Sequence, residues 1–128
     1  MYDLYISKEP TKAWLRRVDL NSGKVTTLAG GVNGSPPQDG LFSTVNFNGF
    51  WMGMTVDATD NIYLTDQSYL RKISNVFDAS KGNITTIVNA PNLQTNAHSL
   101  YSPFYGVDST GNPVVYFTDA YNKTIRKL

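Results

Sequence analysis

Four aspartates at matching places in the chain are the first candidates for chemistry. They end two kinds of repeated string, Asp57 with Asp108 and Asp66 with Asp119. Paired carboxylates can bind divalent metal ions or transfer protons. A residue that recurs with each repeat usually serves the repeat, by accepting hydrogen bonds in a turn. The pattern therefore predicts turn-stabilising carboxylates, with no catalytic residue and no metal ligand among them.

Aromatic and apolar side chains just before two of the predicted strands are the candidate ligand-binding residues. Gly49–Gly53 aligns with Ser102–Gly106, which makes Trp51 equivalent to Phe104 and Met52 to Tyr105. Aromatic rings at a pocket mouth can stack on sugar rings or on an apolar peptide side chain. Packing between neighbouring sheets is the alternative role. The predicted ligand-binding residues are Phe50, Trp51, Met52, Phe104 and Tyr105.

The remaining residue types that carry chemistry lead us to expect no cofactor. The chain has no cysteine, which excludes disulfides, thiolate catalysis and cysteine-based zinc sites. His98 is the single histidine and has no acidic cluster near it in the sequence, so a loop role is favoured over a metal site. Gly30–Gly34 is glycine-rich but is followed by neither Lys-Ser/Thr nor a helix, which indicates a turn rather than a phosphate-binding loop.

Three basic pairs, Arg16-Arg17, Arg71-Lys72 and Arg126-Lys127, recur inside predicted strands. Neighbouring residues of a strand point to opposite faces, so each pair is expected to place one charge on each side, partly buried against carboxylates. The formal net charge is only +1. No long-range field gathers nucleic acid on such a chain, and we expect no nucleic-acid partner.

Short segments rich in β-branched and aromatic residues recur along the chain. We call them strings and predict that each forms a strand, which positions the candidate residues. We label the four kinds of string A to D. String A is Met54–Asp57 and Gly106–Asp108; string B is Asn61–Asp66, Val114–Asp119 and, more weakly, Asp3–Ser7. String C is Leu15–Val18, Leu70–Ile73 and Ile125–Leu128; string D is Val25–Leu28 and Ile84–Ile87. Turn-forming residues separate them. The chain then reads BCD, ABCD, ABC, which predicts ten strands.

Length and composition are those of one β-rich domain. The chain has 128 residues, of which 41% are hydrophobic and 12% aromatic, enough to build a core. No apolar run approaches the roughly 18 residues that a membrane helix needs, so no membrane insertion is expected. We expect no signal peptide at the start of this sequence, because Met1–Ile6 has neither a basic region nor a long apolar run.

The order of these strings resembles the NHL repeat. That family's pattern is matched by Thr27–Gly31, Gly34, Asp39-Gly40, Phe47-Asn48, Gly53–Asp57, Asn61–Asp66 and Leu70–Ile73. A shorter copy spans Ser102–Leu128, and residues 2–28 are similar to the second half of a repeat. The resemblance implies an all-β fold, a partial β-propeller of about two and a half four-stranded antiparallel blades. Its parts are an incomplete blade over 1–48, a complete blade over 49–101 and an incomplete blade over 102–128.

The resemblance implies a non-enzymatic module for binding or scaffolding, with a protein or glycan ligand at the channel face. Self-association, or the missing blades of a longer chain, would complete the ring. The alternative is a fragment of a propeller enzyme of the lactonase or lyase type with a metal bound in the channel. The Asn-, Thr- and Tyr-rich composition is similar in style to that of bacterial cell-envelope proteins, so an extracytoplasmic or cell-surface location is expected.

Overall fold

The computed structural model describes residues 1–9, 12–31, 37–48, 51–89 and 100–128, with side chains described except at 2–9, 51, 52 and 89. These ranges contain eleven strands and no helical residue. The strands are β1 (Tyr2–Glu9), β2 (Lys12–Asp19), β3 (Val25–Gly30), β4 (Gly40–Leu41), β5 (Trp51–Val56), β6 (Ile62–Asp66), β7 (Tyr69–Ser74), β8 (Asn83–Asn89), β9 (Leu100–Val107), β10 (Pro113–Asp119) and β11 (Thr124–Lys127).

The strands form three sheets in the succession that the sequence predicts. Their orders are β1-β2-β3, β4-β8-β7-β6-β5 and β11-β10-β9, which correspond to BCD, DCBA with one added strand, and CBA. Every pairing whose register is described is antiparallel. The all-β, antiparallel class and the ten predicted strands are confirmed. The added strand β4 has two residues, too few to show an alternating pattern.

Strand β2 shows why alternating sequences form these sheets. Ala13 and Leu15 are fully buried, whereas Trp14 and Arg16 lie on the other face and are half-buried. The guanidinium carbon of Arg16 lies 5.4 Å from the centroid of the Trp14 ring. Arg17, the next residue, donates a hydrogen bond from Nη1 to the carbonyl oxygen of Val76 at 3.0 Å. The prediction that the two charges of this pair separate is confirmed.

The chain divides into two compact units, the first comprising Met1–Gly49 and Asn75–Ile84. This unit contains the β1-β2-β3 sheet and the segments that follow β3 and β7. Its buried side chains include Leu15, Phe42, Phe47 and Val76. The backbone amide of Phe42 donates to the carbonyl oxygen of Gly82 at 2.9 Å, which joins the two segments within the unit.

The second unit comprises Phe50–Ser74 and Thr85–Leu128. Its core is a cluster of buried side chains from three strands: Leu70, Leu100, Val115 and Phe117. Strands β5 and β9 run side by side, and the amide of Tyr105 donates to Oγ1 of Thr55 at 3.1 Å. The first strands of two successive sheets are therefore direct neighbours in this unit.

Gly30 is required by a close approach of two backbones, and this gives a test of the first unit. Its φ is +98°, and a Cβ there would overlap the carbonyl oxygen of Ala13. Gly23 also has a positive φ, +70°, but nothing lies within 4 Å of the corresponding position. We expect Gly30→Ala to lower the free energy of unfolding by about 2–4 kcal/mol. Gly23→Ala, the matched control, should cost about 1 kcal/mol.

Urea denaturation of the two variants beside the parent protein measures both losses. Equal losses would show that the backbones at Gly30 and Ala13 do not approach each other as described.

Candidate functional site

A five-residue turn built on Asp57 joins β5 to β6. Oδ1 of Asp57 accepts hydrogen bonds from the amide and hydroxyl of Thr59 at 2.8 and 2.9 Å, and from the amide of Asn61 at 2.9 Å. The amide of Asp57 donates to the carbonyl oxygen of Asn61 at 2.9 Å, which closes the turn. One carboxylate oxygen thus satisfies two backbone donors that the turn would otherwise expose to solvent.

The turn between β9 and β10 repeats this arrangement. Oδ1 of Asp108 accepts from the amide and hydroxyl of Thr110 at 2.9 and 2.7 Å, and from the amide of Asn112 at 3.0 Å. The left-handed position is held by Asp60 in the first turn, with φ 62°, and by Gly111 in the second, with φ 86°. The predicted turn-stabilising role of both aspartates is confirmed.

These hydrogen bonds fix the charge of both carboxylates. Partial burial alone would raise the pKa of Asp57, but the donors of Asn61 and Thr59 outweigh it and lower the pKa to about 2. The hydroxyl of Thr110 and the amides of Asn112 and Thr110 lower the pKa of Asp108 to about 2. Both groups are ionised at neutral pH and are weak bases.

The second pair of repeated aspartates binds arginines. Asp66 and Arg71 are fully buried, with Oδ2 and Nη1 3.4 Å apart. Asp119 is equally buried, and its Oδ2 lies 3.7 Å from Nη1 of Arg126, whose side chain is 47% exposed. The two arginines occupy the same place in register, opposite Leu64 and Phe117 respectively. The expected burial of a basic residue against a carboxylate is confirmed for Arg71, whereas Arg126 contacts Asp119 but is exposed.

An open pocket of about 210 Å³ lies in the second unit beside the Asp57 turn. Its lining combines one carboxylate, a hydroxyl, two tyrosines and an apolar wall: Asp57, Ala58, Thr59, Tyr63, Tyr105, Pro113, Val114, Val115 and Leu128. The hydroxyl of Tyr63 donates to Oδ2 of Asp57 at 3.3 Å. Burial, followed by the charge of Asp57, raises the pKa of Tyr63, which keeps the phenol protonated and donating.

The structure separates the predicted ligand-binding residues. Tyr105 lines the pocket, whereas Phe104 lies on the other face of β9 and is 64% exposed. Trp51 and Met52 lie in the first two positions of β5, and their side chains are outside the described set. Phe50 lies outside the described residues altogether, as does His98.

The predicted equivalence of Trp51 with Phe104 is wrong. Trp51 pairs with Asp66, and the residue that pairs with the corresponding Asp119 is Leu100. Both hairpins contain a register shift, and β9 is eight residues long against six in β5. An alignment of sequences without gaps cannot show a bulge, which adds a residue to one strand only.

Tyr63 and the pocket-facing role of Asp57 were missed by sequence reasoning. Tyr63 lies inside the repeated string Asn61–Asp66 and was treated as part of the strand. The alignment of strings used above places Tyr63 opposite Tyr116 and conceals the difference. Counted instead from the turn asparagines, Tyr63 follows Asn61 by two residues, where the second copy has Val114 two residues after Asn112. A side chain that breaks a repeat is the kind of difference that marks a site.

No group of three or more His, Cys, Asp or Glu side chains is assembled as a metal site among the described residues. The described residues also contain no helix with the length and hydrophobicity needed to cross a membrane.

Comparisons with known proteins returned no relative: no family model, no curated protein and no solved structure matches this chain.

The two arginine pairs allow a matched test of burial. Arg71→Met removes the cation facing a fully buried carboxylate, so we expect a loss of about 3–5 kcal/mol in the free energy of unfolding. Arg126→Met removes a half-exposed partner, and Asp119 keeps the hydrogen bond from Nδ2 of Asn122 at 2.8 Å. A loss of about 0–1 kcal/mol is expected there. Urea denaturation distinguishes the two, and similar losses would contradict the difference in burial.

The low pKa values of the turn aspartates predict acid sensitivity. The ordinary value is 3.8 and the folded value is about 2 for both Asp57 and Asp108. A lowered pKa stabilises the fold above the unfolded value, and that contribution is lost as the pH falls from about 4 towards 2. Denaturation midpoints should therefore fall across this window. In the double variant Asp57→Asn/Asp108→Asn the denaturation midpoint should fall less steeply with decreasing pH. An unchanged slope would refute the assignment of the acid sensitivity to these two aspartates.

Proposed function

We propose that this chain is a non-enzymatic binding module of NHL-like propeller blades, with a protein or glycan ligand, belonging to a larger or oligomeric propeller. The succession of antiparallel sheets supports this proposal. The contact between β5 and β9, the first strands of two successive sheets, supports it as well. A propeller places the first strand of each blade next to the first strand of the following blade around its channel. The two Asp turns, which share the same Oδ1 hydrogen bonds, are the expected mark of a structural repeat.

The observation that best supports a binding role is that the Asp57 carboxylate in the pocket is ionised and held in place by hydrogen bonds. Its Oδ1 holds the turn, and its Oδ2 accepts hydrogen bonds from Asn61 and Tyr63 at 2.9 and 3.3 Å. A general base works best with a pKa near the operating pH, far above the value of about 2 for Asp57. A fixed, ionised acceptor beside tyrosine rings suits recognition of a ligand better than proton transfer.

Labelled protein applied to a peptide array and a glycan array tests this function. We expect a defined subset on one array to bind, and Tyr105→Ala to weaken that binding about tenfold or more, because a half-buried aromatic ring that lines the pocket is removed. Phe104→Ala is the matched control, since the neighbouring side chain lies on the opposite face and is 64% exposed. Its binding should be unchanged.

The same samples distinguish the enzymatic alternative. Calorimetric titration with Ca²⁺, Mn²⁺ and Zn²⁺ should show no tight site, and light scattering gives the number of 14.2 kDa copies in the particle that binds. Tight metal binding together with turnover of a lactone or polysaccharide would overturn the proposal in favour of a lactonase or lyase.

A further inference from the structure

We propose that the pocket beside the Asp57 turn binds the cationic side chain of a lysine or arginine presented by a protein partner. This inference rests on the binding function proposed above and narrows it to one class of ligand. Three properties of the pocket support it: its charge, its rings and its apolar wall.

The charge of the pocket is negative. Asp57 supplies the one charged side chain among the residues that line it, within the described part of the chain. The nearby Asp108 has its own cation, since its Oδ2 lies 3.7 Å from Nζ of Lys127. Asp57 has neutral partners instead, the amide of Asn61 and the hydroxyl of Tyr63. An ionised carboxylate with neutral partners in a partly buried pocket favours a cationic ligand group.

The rings of the pocket suit the same ligand. Lys72 already places its Nζ 6.0 Å from the centroid of the Tyr63 ring, so the chain itself uses that ring as a partner for a cation. Tyr105 is the second ring, half-buried between the core cluster and the pocket. A guanidinium or ammonium group near Asp57 would lie within reach of an aromatic face as well as a carboxylate.

Part of the lining is apolar and the volume is small. Pro113, Val114 and Val115 supply that part, against which the methylene stem of a lysine or arginine can pack. A volume of about 210 Å³ is below the roughly 300–1,000 Å³ of pockets that enclose whole small molecules. The pocket is therefore matched to one long side chain entering from a partner's surface. A neutral sugar could use the rings, but it carries no charge to complement Asp57.

Titrations followed by ¹H–¹⁵N NMR on the full chain test this inference. The probes are the N-acetyl N-methylamides of arginine and lysine, with the citrulline analogue as a neutral control of nearly the same shape and methyl β-glucoside as a sugar. We expect the cationic probes to shift the amide signals of Thr59 and Tyr105. The citrulline probe should bind about tenfold more weakly, since it lacks the charge.

The two equivalent turns provide matched variants. Asp57→Asn should abolish the shifts caused by the cationic probes. Asp108→Asn alters a turn with the same Oδ1 hydrogen bonds outside the pocket and should retain them. Tyr105→Ala leaves both turns unaltered and should also weaken binding, which keeps the test decisive if Asp57→Asn does not fold. Circular dichroism confirms which variants are folded.

Each contrary outcome has a definite meaning. Equal binding of the arginine and citrulline probes, or equal loss in Asp57→Asn and Asp108→Asn, would overturn the cation site. Shifts caused by the glucoside alone would also overturn it, while leaving the proposed binding function in place with a glycan ligand. If no probe shifts these signals and neither array binds, the proposed function fails together with the inference.

Discussion

The carboxylate of Asp57 determines the local geometry on which the pocket depends. A tight turn between antiparallel strands leaves backbone amides without strand partners, and Oδ1 of Asp57 accepts two of them, together with a threonine hydroxyl. The turn then fixes where β5 ends and β6 begins, and so which residues of the two strands face each other. Because that oxygen is occupied, Oδ2 is the one directed to Tyr63. The two oxygens of one side chain thus have different partners, since Oδ2 accepts from the side chains of Asn61 and Tyr63.

The second turn shows that this geometry alone does not make a site. Asp108, Thr110 and Asn112 repeat the hydrogen bonds of the first turn nearly atom for atom. Two residues further on, however, the chain has Val114 in place of a tyrosine. That valine contributes to the apolar wall of the pocket formed at the first turn. One copy of the repeat therefore supplies the charge and one ring, and the other supplies the second ring and apolar residues of the lining.

The buried pair of Asp66 and Arg71 imposes a different constraint. Both side chains are fully buried, so each charge needs the other in the folded chain. The pair also explains why Arg71 and Lys72 do not form a basic patch. Arg71 points to the interior, and Lys72 lies on the other face above the Tyr63 ring. The same separation of charges occurs at Arg126 and Lys127, which face Asp119 and Asp108.

Much of the fold could be predicted from the sequence, because the relevant signals are local. Alternation with a period of two residues and turn-forming residues between the strings indicated ten strands and their order in the sheets. Recurrence of the aspartates indicated the role of Asp57 and Asp108 in turns, but not the buried ion pair that Asp66 forms with Arg71. Adjacency of the basic residues indicated their separation. The two-residue strand β4 carries no such pattern, since its pairing with β8 depends on a distant segment.

The candidate site was determined by tertiary structure. Tyr105 was predicted as a ligand contact, but its partners in the pocket, Asp57 and Tyr63, come from another sheet. Phe104 was predicted with it and lies on the opposite face, because neighbouring residues of a strand alternate. Sequence alone determined which residues form strands and turns. Tertiary structure determined which faces of these strands line the pocket, through the packing of β9 against β5 and the register shifts in both hairpins. A bulge and a long-range contact leave no periodic signal in the sequence, so neither could be predicted from it.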